Sequence, residues 1–169
     1  MPITNSEKYY GTVILRLISH LGLKLPSVKF SISGGNSSSA FIIEGNSPSL
    51  IGKGRYITAG LFIKISNKRL SPWRYTFLER HQDEIELLHT KYGQVFIAFV
   101  CADDGIACID FDELKSILDE HHEEQEWVSV TRKLNQNYRI KGNDGVYAKS
   151  LSRAKFPDNC ADYFCKKLK

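Results

Sequence analysis

Apolar residues at Tyr9, Tyr10, Val13, Ile14, Leu17, Ile18 and Leu21 recur at the spacing of a helix that buries one stripe. Ser6 stands where a cap belongs and Gly22 where the segment should stop. After Pro26 the period changes to two. Val28 to Ser33 alternates, Gly34-Gly35-Asn36 supplies a turn, and Ser39 to Glu44 returns, which predicts a hairpin. Residues 45 to 54 are rich in Gly, Ser and Pro and read as an exposed loop, and Arg55 to Ser66 then supplies a long strand.

Thr76-Phe77-Leu78-Glu79 has the form of a capping box, so a second helix is predicted from Thr76 through Ile85, Leu88 and Tyr92 to Gly93. Val95 to Cys101 is a near-continuous apolar run, as expected of a strand covered on both faces in the middle of a sheet. Asp103-Asp104-Gly105 makes a turn and Ile106 to Ile109 a short strand. Asp110 with Glu113 then caps a third helix predicted to reach about His121. Trp127 to Lys133 and Tyr138 to Lys141 read as paired strands, and a short helix follows Pro157.

This order predicts an α/β fold of three layers, a mixed sheet flanked by helices. A chain of 169 residues with 42% hydrophobic content can bury a real core. We therefore expect a single domain over 1–169, with a core in 1–127 and basic C-terminal strands and a helix in 128–169. The opening residues lack the layout of a secretory signal, and no stretch approaches the roughly 18 apolar residues needed to cross a bilayer. A cytoplasmic protein without membrane contact is expected. None of the spacings among Cys101, Cys108, Cys160 and Cys165 is a C-x-x-C pattern, and the first two lie in apolar runs, so buried free thiols are expected.

Charge is sharply segregated. Residues 1–80 carry 11 Lys/Arg against 3 Asp/Glu, residues 81–127 carry 2 against 13, and residues 128–169 carry 10 against 3. Two basic segments around an acidic middle can fold into a basic face backed by an acidic one, the footprint of a polyanion binder, or can neutralise each other. The densest segment runs from Lys64 through Lys68, Arg69, Trp73 and Arg74 to His81 and Gln82. Its cations suit phosphates and its aromatics suit stacked bases. His121-His122, the Asp103-Asp104-Gly105 turn and the Gly34 to Ser39 loop match no metal or phosphate motif and read as a solvated helix end and as turns.

Over residues 6 to 109, a helix, three strands with Lys64 on the third, a second helix and a buried strand resemble the core of the PD-(D/E)XK nucleases. That is the fold of many restriction enzymes and Holliday-junction resolvases. The resemblance implies a restriction-endonuclease-like sheet and a site holding Mg²⁺ or Mn²⁺. Glu44 would be the metal ligand, Lys64 would stabilise charge at the scissile phosphate, and Glu7 would be a further acid. His81 and Gln82 would be accessory polar residues. The position two before Lys64 is Phe62, so the family's defining carboxylate is absent. The expectation is a nucleic-acid-binding, nuclease-like domain, on DNA rather than RNA, with weak or no phosphodiesterase activity. The alternative is a protein-interaction or regulatory module on the same scaffold, binding a basic partner through the acidic 103–126 region.

Overall fold

A computed structural model describes residues 1–25, 27–34, 39–47, 52 and 54–167. Residues 35–38, which include most of the predicted Gly34–Asn36 turn, and residues 48–51 and 53 of the predicted 45–54 loop lie outside them, while residues 45–47 of that loop are strand instead. Helix α1 spans Asn5–Gly22. Thr4, not Ser6, caps it. Thr4 Oγ1 accepts from the Glu7 amide at 3.2 Å, and the Glu7 carboxylate accepts from the Thr4 amide at 2.6 Å.

Strands β1 (Ser27–Ile32), β2 (Ala40–Ser47) and β3 (Arg55–Ser66) form an antiparallel meander, as the alternating pattern predicts. The next strand, β4 (Trp73–Leu78), replaces the start of the predicted second helix. Trp73, Tyr75 and Phe77 are buried while Arg74 and Thr76 are exposed, so period two overrides the capping signature. Helix α2 begins at Glu79, with Leu78 as its cap residue, and ends at Tyr92 before Gly93. Gly93 has φ 76°, a left-handed conformation that glycine adopts freely.

Strand β5 (Val95–Cys101) runs parallel to β3, and β6 (Gly105–Asp110) pairs antiparallel with β5. The sheet order β1-β2-β3-β5-β6 puts β3 in the middle, one place from where the apolar run suggested. All seven β5 residues are buried because they serve two cores. Val95, Ile97, Phe99 and Cys101 face α2, whereas Phe96, Ala98 and Val100 face α1.

Helix α3 covers only Phe111–Lys115, with the expected Asp110–Glu113 capping box. It stops short of His121 because the Ile117 carbonyl accepts from the Asp144 amide at 3.1 Å instead of continuing the helix. Strands β7 (Gln125–Thr131) and β8 (Arg139–Gly142) pair as predicted, and β4 joins them in a second antiparallel sheet of order β4-β7-β8. Helix α4 spans Asp158–Lys167.

The architecture is therefore mixed α/β. Helices α1 and α4 cover one face of the large sheet, and α2, α3 and the small sheet cover the other. Residues 128–169 contribute to both cores, with Tyr138 and Ile140 on one side and Cys160 and Phe164 on the other. All four cysteines are unbridged, and Cys108 packs against Cys160 with sulfurs 3.6 Å apart. Among the described residues no helix is long and apolar enough to cross a membrane.

Asp104, in the turn between β5 and β6, pins the small sheet to the large one. Its carboxylate accepts from Arg132 Nε at 2.9 Å and from the Tyr138 hydroxyl at 2.6 Å, and its carbonyl accepts from Arg153. The Arg132 hydrogen bonds hold the Asp104 carboxyl below its usual range.

The sidedness of β4 yields a stability prediction. Phe77 is fully buried, with its ring centroid 6.2 Å from that of Phe99, so Phe77→Ala should cost about 3–5 kcal/mol in urea denaturation. Thr76→Ala, one residue away on the exposed side, should change stability by no more than about 0.5 kcal/mol. Equal losses from the two would contradict the strand.

Candidate nucleic-acid interface

Lys64 lies near the end of β3 and points toward α2 and β4. Its ammonium stands 4.9 Å from the Phe77 ring centroid and 3.3 Å from His81 Nδ1. That nitrogen also accepts from the Leu78 amide at 3.2 Å, which places the neutral imidazole proton on Nε2. Burial lowers Lys64 to about 8, with help from the Arg80 charge. Burial also lowers His81 to about 4, assisted by Lys64 and Arg80 and opposed by a hydrogen bond with the Thr76 backbone. The couple is a half-buried lysine held beside a neutral histidine.

The acids expected to join Lys64 are elsewhere. Glu44 pairs in register with Thr58, six residues before Lys64 on β3, a separation of roughly 20 Å along the strand. It is ion-paired instead with Lys29 at 3.6 Å. Glu7 sits on α1, across the large sheet from α2, where Thr4 holds it in the capping box and its hydrogen bonds lower the Glu7 carboxyl. Glu44, Glu7 and Lys64 thus do not converge, and they do not fit the Mg²⁺ or Mn²⁺ site that the nuclease resemblance implies.

Two further expectations are corrected by burial. Trp73 is only 2% exposed, and its indole donates to the Lys68 carbonyl at 2.7 Å, so it has no face for a base. Gln82 is also 2% exposed, and its amide donates to Glu126, which removes it from any nucleic-acid surface. Lys68 and Arg69 are exposed on the turn before β4, where the Lys68 ammonium donates to the Pro72 carbonyl at 3.1 Å. Arg74 is exposed on β4 itself.

Arg74 leads to a surface that the linear pattern did not reveal. Cross-strand register aligns Arg74 with Ser129 on β7 and Ser129 with Lys141 on β8. Side chains directly opposite each other point to the same face, so both cations lie on the outer side of the small sheet. Between them is the half-exposed Trp127, with Arg74 5.6 Å and Lys141 5.8 Å from its ring centroid. Arg139, opposite Thr131, continues the basic row. It also borders a concavity of about 420 Å³ lined by Ser71, Thr131, Lys133 and Asn137. Period two in the predicted strands does put 127, 129 and 131 on one side and 139 and 141 on one side. Only the unforeseen β4 pairing brings Arg74 beside them.

Comparison with family models, curated proteins and solved structures finds no match to this chain. Fold and surface chemistry define it as a mixed α/β protein with a basic, aromatic-centred sheet face.

The Lys64–His81 couple sets a pH dependence. Histidine's ordinary value is 6.5 and His81 lies near 4, so acidification across that window protonates the unfolded chain first and lowers stability. Lys64 acts by the same sign between about 8 and 10.5, where rising pH favours the fold. An NMR titration should give a His81 midpoint near 4 that rises in Lys64→Met, since a neighbouring cation has been removed. An ordinary midpoint near 6.5 in the parent protein would contradict this environment.

Proposed function

We propose that this protein binds nucleic acid, DNA in preference to RNA, through the outer face of the β4-β7-β8 sheet. The observation that carries the reading is the registered row in which exposed Arg74 and Lys141 flank the half-exposed Trp127 over a buried Ser129. Cations flanking an aromatic ring can neutralise phosphates on either side of a base stacked against it, the arrangement that suits single strands. Arg139 and Lys133 extend the track toward the concavity. The scaffold is read as restriction-endonuclease-like, with a meander, a helix and a strand parallel to β3 in the expected order. It is read as non-catalytic at Lys64, because Glu44 and Glu7 lie apart from it. A cytoplasmic setting accords with four free thiols.

The alternative is a basic protein partner on the acidic 103–126 region. Part of that region is engaged internally, Asp104 with Arg132, Glu113 with Tyr147 and Lys149, and Asp110 in the α3 cap. Asp103, Asp112, Asp119, Glu120, Glu123 and Glu124 stay exposed for it.

Fluorescence anisotropy with a labelled single-stranded oligonucleotide at low salt tests the proposal. Binding should weaken steeply with salt. Arg74→Ala and Lys141→Ala should each reduce the log–log salt slope by about 0.7, and Trp127→Ala should cost about 1–3 kcal/mol of affinity. Unchanged affinity in a folded Arg74/Lys141/Trp127 triple-alanine variant would overturn it, as would tight binding of a basic protein by a chain with no affinity for oligonucleotides.

A further inference from the structure

The basic track on the small sheet runs into the concavity of about 420 Å³ at the end of that sheet where β7 stops and β8 starts. The β7–β8 loop contributes Lys133, Gln136 and Asn137, and the turn before β4 contributes Ser71. Thr131 and Arg139 stand opposite each other where the two strands meet the loop. Every one of these side chains is polar or basic, and no acid lines the space.

Arg132 builds the loop. Its guanidinium donates to the Asp104 carboxylate at 2.9 Å and to the carbonyls of Lys133 at 3.2 Å and Gln136 at 3.5 Å. Its amide donates to Ser71 Oγ at 3.0 Å, which ties the loop to the turn before β4. The Gln136 amide closes the loop on the Lys133 carbonyl at 3.0 Å, and Asn135 takes φ 61°, a left-handed conformation that asparagine tolerates. Both sides of the concavity are thus fixed by the fold's own hydrogen bonds.

The donors that remain are unspent. Among the described residues neither Lys133 nor Arg139 has an ion-pair partner, and only their backbone atoms enter hydrogen bonds. Ser71 Oγ has accepted from the Arg132 amide and keeps its hydroxyl hydrogen to donate. Asn137 spends one amide hydrogen on Ser150 Oγ at 3.2 Å and keeps the other. Two cations and two neutral donors therefore line one small space without a carboxylate among them.

That set fits a doubly charged phosphate better than a singly charged one. An internal phosphodiester bears one negative charge and continues on both sides. A terminal phosphomonoester bears about −1.5 to −2 at pH 7 and presents three strong acceptor oxygens. The position of the concavity agrees. Trp127 and Thr131 are four residues apart on the outer side of β7, roughly 13 Å, and Arg74 and Lys141 stand in register at the step between them. We propose, on the single-strand reading above, that this concavity takes the terminal phosphate of a single strand, with Lys133 and Arg139 as its cations. The neighbouring nucleotides then lie along Arg74, Lys141 and Trp127, and binding is directed to strand ends.

The test uses the full chain and one short single strand with an internal fluorophore, made with hydroxyls at both ends, with a 5′-phosphate or with a 3′-phosphate. At fixed ionic strength, anisotropy should show at least about tenfold tighter binding when one of the two ends carries phosphate, and the favoured end gives the polarity of the strand. Lys133→Gln and Arg139→Gln alter exposed side chains and should each collapse the ratio of phosphate-ended to hydroxyl-ended affinity. Arg74→Gln should weaken all three strands alike and leave that ratio in place. Equal affinity for the three strands overturns end recognition but not nucleic-acid binding, whereas no binding of any strand overturns both. A ratio unchanged in a folded Lys133/Arg139 double variant also overturns end recognition. So does a nucleoside monophosphate bound as tightly as the phosphorylated strand, since the concavity then serves a free phosphomonoester.

Discussion

The antiparallel pairing of β4 with β7 decides the sidedness of half the molecule. Tyr75 stands opposite Val128 and Phe77 opposite Glu126, all on the inner face, while Arg74 stands opposite Ser129 and Thr76 opposite Trp127 on the outer face. A slip of one residue would expose the aromatics and bury the arginine, which the alternation of the strand forbids. Because β7 enters between β4 and β8, one strand also carries two chemistries, with Trp127 outward among cations and Glu126 inward among acids.

The charge segregation of the sequence resolves by partial neutralisation rather than by two clean faces. Asp104 draws Arg132 and Arg153 from the C-terminal basic block onto the β5–β6 turn. Within the acidic block, Lys115 and His122 converge on Glu86, and His122 also meets Asp83. Arg74, Lys133, Arg139 and Lys141 remain exposed on one side of the small sheet. The acids at 119, 126 and 144 remain without cations among the described residues. The Asp104–Arg132 pair is shielded, its side chains 17% and 9% exposed, and it helps join the two sheets, whereas pairs open to solvent contribute little stability.

Lys64 illustrates how a chain position and a spatial position differ. It stands on the third strand of a meander ahead of a helix, where the nuclease resemblance looks for a lysine, yet its neighbours are the Phe77 ring and the imidazole of His81. Burial without a carboxylate partner among the described residues makes its charge less favourable, and the adjacent Arg80 adds to that cost. The same surroundings keep His81 neutral, which lets it accept from the Leu78 amide at the start of α2.

Periodicity alone determined the elements whose burial pattern is local. The α1 stripe of Val13, Leu17 and Leu21, the full span of β3, the two-sided β5, the Asp110–Glu113 cap and the β7–β8 pairing all follow from spacing that each segment carries within itself. Competition between segments decided the rest. Thr76 and Glu79 offer a cap, but pairing with β7 buries three aromatics and holds Thr76 in a strand. The third helix ends early because the Ile117 carbonyl is claimed by Asp144. Trp73 and Gln82 looked exposed in a basic stretch and are buried by partners up to 65 residues away, Tyr138 and Glu126. The C-terminal basic strands were expected to extend the cationic surface, but the place of Trp127 and Lys141 beside Arg74 was hidden for the converse reason. It lies in cross-strand register, which leaves no mark on the local pattern of apolar and polar residues.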